Sequence, residues 1–162
     1  MLSQKELDDI QAEVAHSPTS RSVCIDALMI IRKHRGWVSD EALADLASVI
    51  HMTPAELESV ATFHNLIFRK PVGRHVIMVC DSVSCWLTGE ERLLDYLRRK
   101  LGIQLGQTTE DGAFTLLPTV CLGHCEQAPV MMLDDEIIGN LTEDKIDQIL
   151  VGAKHSDEKA GH

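Results

Sequence analysis

Four of the five cysteines stand in two short windows, Cys80-Asp81-Ser82-Val83-Ser84-Cys85 and Cys121-Leu122-Gly123-His124-Cys125. Four residues separate the first pair, three the second, and 35 lie between the windows. Four thiols in two pairs can hold one compact metal centre, and thiolates select zinc, Cu(I) or iron–sulfur clusters. A [2Fe–2S] cluster would take two thiolates per iron. A zinc ion could use the same four, since its paired ligands usually stand two to four residues apart. A dithiol redox pair is disfavoured because no C-x-x-C is present. His124 invites a Rieske-type centre, but that needs two histidines in place of two cysteines, and four cysteines are already available. His124 is therefore expected to neighbour the ligands or face solvent. Cys24 sits inside an apolar helical pattern with no second cysteine near in sequence, so it is expected to be a small buried hydrophobe. His64 and His75 read as ordinary packed or hydrogen-bonded histidines.

Each window follows a strand-like apolar run. Residues 75–79 lead into Cys80, and residues 114–120 lead into Cys121. Between them, Thr88-Gly89-Glu90-Glu91 opens a helix with Leu93, Leu94, Leu97 and Leu101 on one face, ended by Gly102. Residues 106–112 make a polar, turn-rich connection. Strand, helix, strand implies a right-handed crossover and parallel strands. Parallel strands end at one edge of a sheet, so the loops after Val79 and Val120 should emerge side by side and bring the four cysteines together. Downstream, residues 129–133 and 136–138 read as two strands joined at Asp134-Asp135. Thr142 then begins a last helix carrying Ile146, Ile149 and Leu150.

Upstream, residues 3 to about 63 read as four short helices. Ser3…Glu6 and Thr53-Pro54…Glu56 are capping boxes, the second with proline at the first helical position. Ser17-Pro18 is expected to break the first helix and begin the second, which carries Val23, Ala27, Ile30 and Ile31 and ends near Gly36. Ser39 opens the third. Residues 63–68 are apolar and aromatic and read as a linker that docks on a surface. The expected fold is α/β, divided into a helical extension with linker (1–70), a cysteine-bearing domain (71–152) and a polar tail expected to be flexible (153–162).

The chain carries 15 Lys and Arg against 25 Asp and Glu, a formal net charge of −10. That disfavours nucleic acid and anionic membrane surfaces, which demand a basic face. The longest purely apolar runs are about the length of residues 27–31, far short of a membrane span. An odd cysteine count with no visible secretory leader fits a reducing cytoplasm. There is no G-x-G-x-x-G after a strand and no paired base and nucleophile, so no dinucleotide or catalytic site of the chain's own is visible.

The cysteine spacing resembles that of the thioredoxin-like [2Fe–2S] ferredoxins. More specifically, the chain is similar to the small [2Fe–2S] subunit of the NADH-dehydrogenase module of bacterial respiratory complex I, the E-subunit family of NADH:quinone oxidoreductase. The matching text is Arg35-Gly36-Trp37-Val38, Val60-Ala61-Thr62-Phe63, Pro71-Val72-Gly73-Arg74-His75-Val76, both cysteine windows, Leu101-Gly102-Ile103, Thr108-Thr109-Glu110-Asp111-Gly112-Ala113-Phe114-Thr115, Ala128-Pro129 and Asn140-Leu141-Thr142. It runs from the second helix to the last. His64 departs from it, standing where the family usually has an aromatic.

The resemblance implies a thioredoxin-like [2Fe–2S] ferredoxin domain behind an N-terminal four-helix extension. It implies one cluster on Cys80, Cys85, Cys121 and Cys125. It also implies a partner flavoprotein carrying FMN and NADH, further peripheral-arm subunits, and a place in the peripheral arm at the cytoplasmic face of the inner membrane. The cluster would exchange single electrons with the flavin, off the main route to quinone. Related subunits serve NAD-linked hydrogenases and formate dehydrogenases. A non-redox four-cysteine zinc interaction module is the alternative from another class.

Overall fold

The structure, a computed structural model, describes residues 1–160, with side chains through residue 157. The chain divides into two compact units, Met1–Pro71 and Val72–His162.

The first unit is built from α1 (Gln4–Ala15), α2 (Cys24–Arg35), α3 (Asp40–Ile50) and α4 (Pro54–Phe63). Both capping boxes are formed: Ser3 with Glu6 at the start of α1, and Thr53 with Glu56 at the start of α4. Each box satisfies two of the amides that a helix start leaves without partners. The second helix begins later than Pro18 predicts. A 3-10 turn at Ser20–Val23, capped by Thr19, comes first, and α2 starts at Cys24. Residues at helical spacing meet in one core, with Ile10, Leu28, Ile31, Leu46, Ile50 and Leu57 fully buried. Cys24 is half-buried and packs against that core, so it behaves as a small hydrophobe.

Two polar clamps close this unit. The Glu6 carboxylate, 2% exposed, accepts from Arg35 through both oxygens (Nε–Oε1 2.5 Å, Nη2–Oε2 2.7 Å) while also accepting from the Ser3 amide. The apolar segment after α4 folds back onto its own unit. Ile67 and Phe68 are buried, the Val38 amide donates to the Phe68 carbonyl, and Arg32 lies over the Phe68 ring. Arg69 then donates to the Val38 carbonyl, Asp40 and Glu58. Phe63 stays out of this packing, 85% exposed.

The second unit holds a five-stranded sheet in the order β2-β3-β1-β4-β5. Its strands are β1 (His75–Cys80), β2 (Gln107–Thr108), β3 (Phe114–Thr119), β4 (Met131–Leu133) and β5 (Glu136–Ile138); its helices are α5 (Val83–Leu87), α6 (Glu90–Leu101) and α7 (Glu143–Ala160). β1 and β3 are parallel, in register from His75 with Phe114 to Cys80 with Thr119, while β4 and β5 add antiparallel neighbours. Central β1 is buried from Val76 to Cys80, as expected for a strand paired on both edges and covered on both faces. The apolar faces of α6 and α7 close on it through Leu97 and Ile146, around Phe114, Ile77 and Met131.

The last helix extends into the stretch read as a tail. Residues 153–160, expected to be flexible, continue α7 to Ala160, and residues 161–162 lie outside the described residues. Two contacts hold the extension: Ala153 is buried in the core, and Asp157 accepts from Arg74 Nε (2.7 Å) and meets His75 Nε2 (3.2 Å). His75 Nδ1 meets Asp134 at 2.8 Å. A carboxylate at each ring nitrogen favours the protonated imidazole. Burial opposes that charge, but Asp134 and Asp157 outweigh it and raise the His75 pKa.

Candidate metal centre

The parallel register delivers the cysteines. β1 ends on Cys80 opposite Thr119, the last residue of β3, and the Asp81 amide donates to the Thr119 carbonyl (3.1 Å), carrying the pairing one step past the strand. The two chains leave the sheet at one edge, with the first cysteine window on one and the second on the other. Cys80 is fixed on its far side too, its amide donating to the Val130 carbonyl (3.2 Å).

The first window turns into α5, which follows Ser82 and presents Cys85 inward. Cys80 and Cys85, each 2% exposed, pack with Val130 against Leu122, Ala128 and Ile137. Their side chains are neighbours, and the Val130 backbone lies beside Cys85. Burial, followed by the Cys80 neighbour, pushes the Cys85 thiol up to about 11.

The second window is an exposed loop. The Cys121 and Cys125 sulfurs stand 3.4 Å apart. Gly123, at φ 79°, adopts a left-handed backbone that turns its amide onto the Cys121 sulfur at 3.4 Å. This amide, then the Cys125 thiol, lowers the Cys121 pKa, while Cys121 raises that of Cys125. Ser84, from the first window, lies beside Cys125 and so brings the two loops together.

The arrangement is therefore two thiol pairs meeting through Ser84. Among the described residues no three of His, Cys, Asp and Glu converge on one point as a single ion requires. Paired thiols would suit a dinuclear iron–sulfur centre, with both pairs supplying its ligands. Four cysteine thiols in two pairs are a donor set that would fit a [2Fe–2S] cluster.

None of the other singled-out side chains joins this group. His124 is half exposed on the second loop, 3.6 Å from Glu126. His64 caps α4 and its ring stacks edge-on with Phe63. His75 belongs to the carboxylate clamp at the opposite end of β1. Sequence reasoning passed over Ser84, Gly123 and the Val130 backbone. Gly123 carried a signal, a glycine between two metal-ligand candidates; Ser84 and Val130 carried none, because their roles arise from chain folding. A buried carboxylate was also missed. Glu90, in the first turn of α6, has its pKa raised by burial and then by Asp81.

The rim of the site is apolar. Val83, Trp86 and Leu87 of α5 and Val120 at the end of β3 are all exposed, Trp86 by 59%. No described helix is long and apolar enough to cross a membrane.

Comparison with known proteins settles the family. The thioredoxin-like [2Fe–2S] ferredoxin profile matches residues 10–154. The chain belongs to the thioredoxin-like [2Fe–2S] ferredoxin family. Within it, relatives alike over nearly their full length include the E subunit of NADH-quinone oxidoreductase from Pseudomonas aeruginosa, 45% identical over 93% of this chain and 90% of the relative. Its counterpart in Escherichia coli K12 is 46% identical over 92% and 90%. That of Buchnera aphidicola from Acyrthosiphon pisum is 42% identical over 94% of each. Among solved structures, an NAD+-reducing [NiFe]-hydrogenase in the air-oxidized state aligns with a TM-score of 0.71 and 26% identity; the match covers 83% of this chain and 23% of that one. This ferredoxin family is defined by a single [2Fe–2S] cluster, the group that the two thiol pairs suit.

Proposed function

We propose that Cys80, Cys85, Cys121 and Cys125 hold a [2Fe–2S] cluster, two thiolates to each iron, and that the chain is the electron-carrying E subunit of an NADH:quinone oxidoreductase. The observation that carries this reading is the meeting of two thiol pairs at one sheet edge, one pair buried and one exposed. The bound cluster supplies one-electron storage. The protein supplies the rest. Cys80 and Cys85 anchor the buried side from a central strand and a short helix. The Gly123 and Val130 amides point at ligand sulfurs and offset their negative charge. The exposed Val83, Trp86, Leu87 and Val120 offer a partner apolar surface next to the cysteine windows.

That partner is a flavoprotein carrying FMN and NADH. NADH delivers a hydride, equivalent to two electrons, whereas a cluster accepts one at a time, and a flavin converts between these modes. The chain has no dinucleotide fingerprint with which to do this itself. The place of action is the peripheral arm of the complex at the cytoplasmic face of the membrane, together with its other arm subunits.

A second reading rests on the hydrogenase alignment: the same module serving an NAD-linked hydrogenase. Identity of 42–46% along nearly full-length relatives from NADH-quinone oxidoreductase, against 26% to one segment of a longer hydrogenase chain, favours the first. The test is NADH reduction of the cluster, followed optically and by EPR, with the chain alone and joined to the flavoprotein. Reduction is expected only in the joined form. Rapid bleaching by NADH in the flavin-free chain would refute the division of labour.

A further inference from the structure

The four thiols differ in reach and in freedom. Cys80 is the last residue of a strand paired on both edges, and Cys85 is locked in α5; both are out of solvent. Cys121 and Cys125 are exposed outside the sheet, Cys121 on a loop and Cys125 at the start of a 3-10 turn (Cys125–Gln127), and already stand sulfur to sulfur at 3.4 Å. A disulfide bond is about 2.05 Å long, so closure asks for an approach of roughly 1.4 Å. Gly123, between the two cysteines, has a left-handed backbone with open space beside it.

We propose that before its cluster is inserted this chain carries a redox-controlled loading site, in which Cys121 and Cys125 close a reversible disulfide on exposure to a low-molecular-weight disulfide such as oxidised glutathione. The inference rests on the ligand assignment above. A thiolate of the exposed pair attacks one sulfur of the small disulfide. That S–S bond breaks, a mixed disulfide forms on the protein, and one small thiolate leaves. The second protein thiolate then attacks the protein-side sulfur, the Cys121–Cys125 bond forms, and the second small thiolate departs. Two protein thiols are oxidised, one small disulfide is reduced to two thiols, and the protons pass to the departing thiolates. A dithiol reductant reverses both steps. While closed, the loop offers no thiolate to iron and the buried pair stands alone. The bond also holds both sulfurs below the irreversible rungs of cysteine oxidation.

The test uses the full chain, freed of metal by chelator and reductant, desalted, and incubated with oxidised glutathione. Alkylation after unfolding and peptide mapping then locate the bond. The expected result is loss of two of the five thiols, a mass lower by about 2 Da, and a Cys121–Cys125 link with Cys24, Cys80 and Cys85 still alkylated. C121S and C125S should instead stop at a stable mixed disulfide. Uptake of iron and sulfide should be lost in the oxidised protein and regained after dithiothreitol. A link that involves Cys80 or Cys85, glutathione adducts that never resolve to the link, or unchanged uptake by the linked protein would overturn the proposal. The ligand assignment fails separately: reduced C121S and C125S would then take up iron and sulfide as well as wild type.

Discussion

Replacing Glu6 by Gln removes one charge from the clamp that joins α1 to the end of α2 and keeps the side chain's size. Glu6 is 2% exposed, and Arg35 grips both of its oxygens. The Arg35 hydrogen bonds, against the opposing effect of burial, lower the Glu6 pKa from 4.5 to about 2. At about 1.4 kcal/mol for each tenfold change in proton affinity, that displacement corresponds to about 3 kcal/mol. Arg35 keeps 31% of its surface in water, which screens the pair, so we expect about 2 kcal/mol at pH 7. The sign follows from linkage. A carboxyl whose folded pKa is depressed adds stability that is fully present above its unfolded value, here 4.5. That stability is lost as pH falls from there towards about 2. Urea unfolding followed by Trp37 fluorescence, in a Trp86→Phe background so that only the first unit reports, should give the E6Q difference at pH 7. The difference should shrink steadily between pH 4.5 and pH 3. A penalty as large at pH 3 as at pH 7 would show that the clamp acts by packing rather than by charge.

Four further outcomes follow. Serine in place of Cys80, Cys85, Cys121 or Cys125 should lower cluster content or shift its visible and EPR spectra, while Cys24→Ser should leave both unchanged; dependence on Cys24 would overturn the assignment. Leu97→Ala, at a fully buried position of α6, should cost about 2–5 kcal/mol of unfolding stability in urea. His75→Gln should destabilise the protein below the ordinary histidine pKa of 6.5. The effect should fade as pH rises through the raised folded value, which an NMR titration of the ring would locate; a folded pKa below 6.5 would contradict the double carboxylate clamp. Gly139→Ala should destabilise the second unit in thermal unfolding, because a Cβ there overlaps the Gln127 side chain, which sits between the second cysteine loop and β5 in sequence.

The parts of the fold that were legible beforehand are those in which local pattern and long-range packing agree. The run before Cys80 is apolar at every position because β1 is buried on both faces, and the leucine stripe of α6 repeats at helical spacing because that face meets β1. Their order alone dictated parallel strands and hence a common exit for the cysteine loops. Other features were decided at a distance. Five-residue α5 is too short for periodicity to show, and two-residue β2 exists only through its antiparallel pairing with Leu116 and Thr115. Residues 153–160 are polar enough to read as tail, and what holds them helical is a pair of ion contacts to Arg74 and His75, about 80 positions upstream. The asymmetry of the thiols was hidden for the same reason. The two windows look alike as text, and only the central place of β1 buries one pair and leaves the other open.

The pairing of Cys80 with Thr119 has a consequence for how such a chain can change over generations. The contour length between the two windows does not set the spacing of the sulfurs; the alignment of two adjacent strands does. Residues added in the turn between β2 and β3, at 109–113, would lengthen a surface excursion and leave the β1–β3 alignment intact. A slip of β3 by one position against β1 would carry Cys121 about 3.3 Å along the sheet edge and turn every β3 side chain to the opposite face. Insertions and deletions should therefore accumulate in the connector among descendants of this sequence, while the strands and the few residues after each of them keep a constant count.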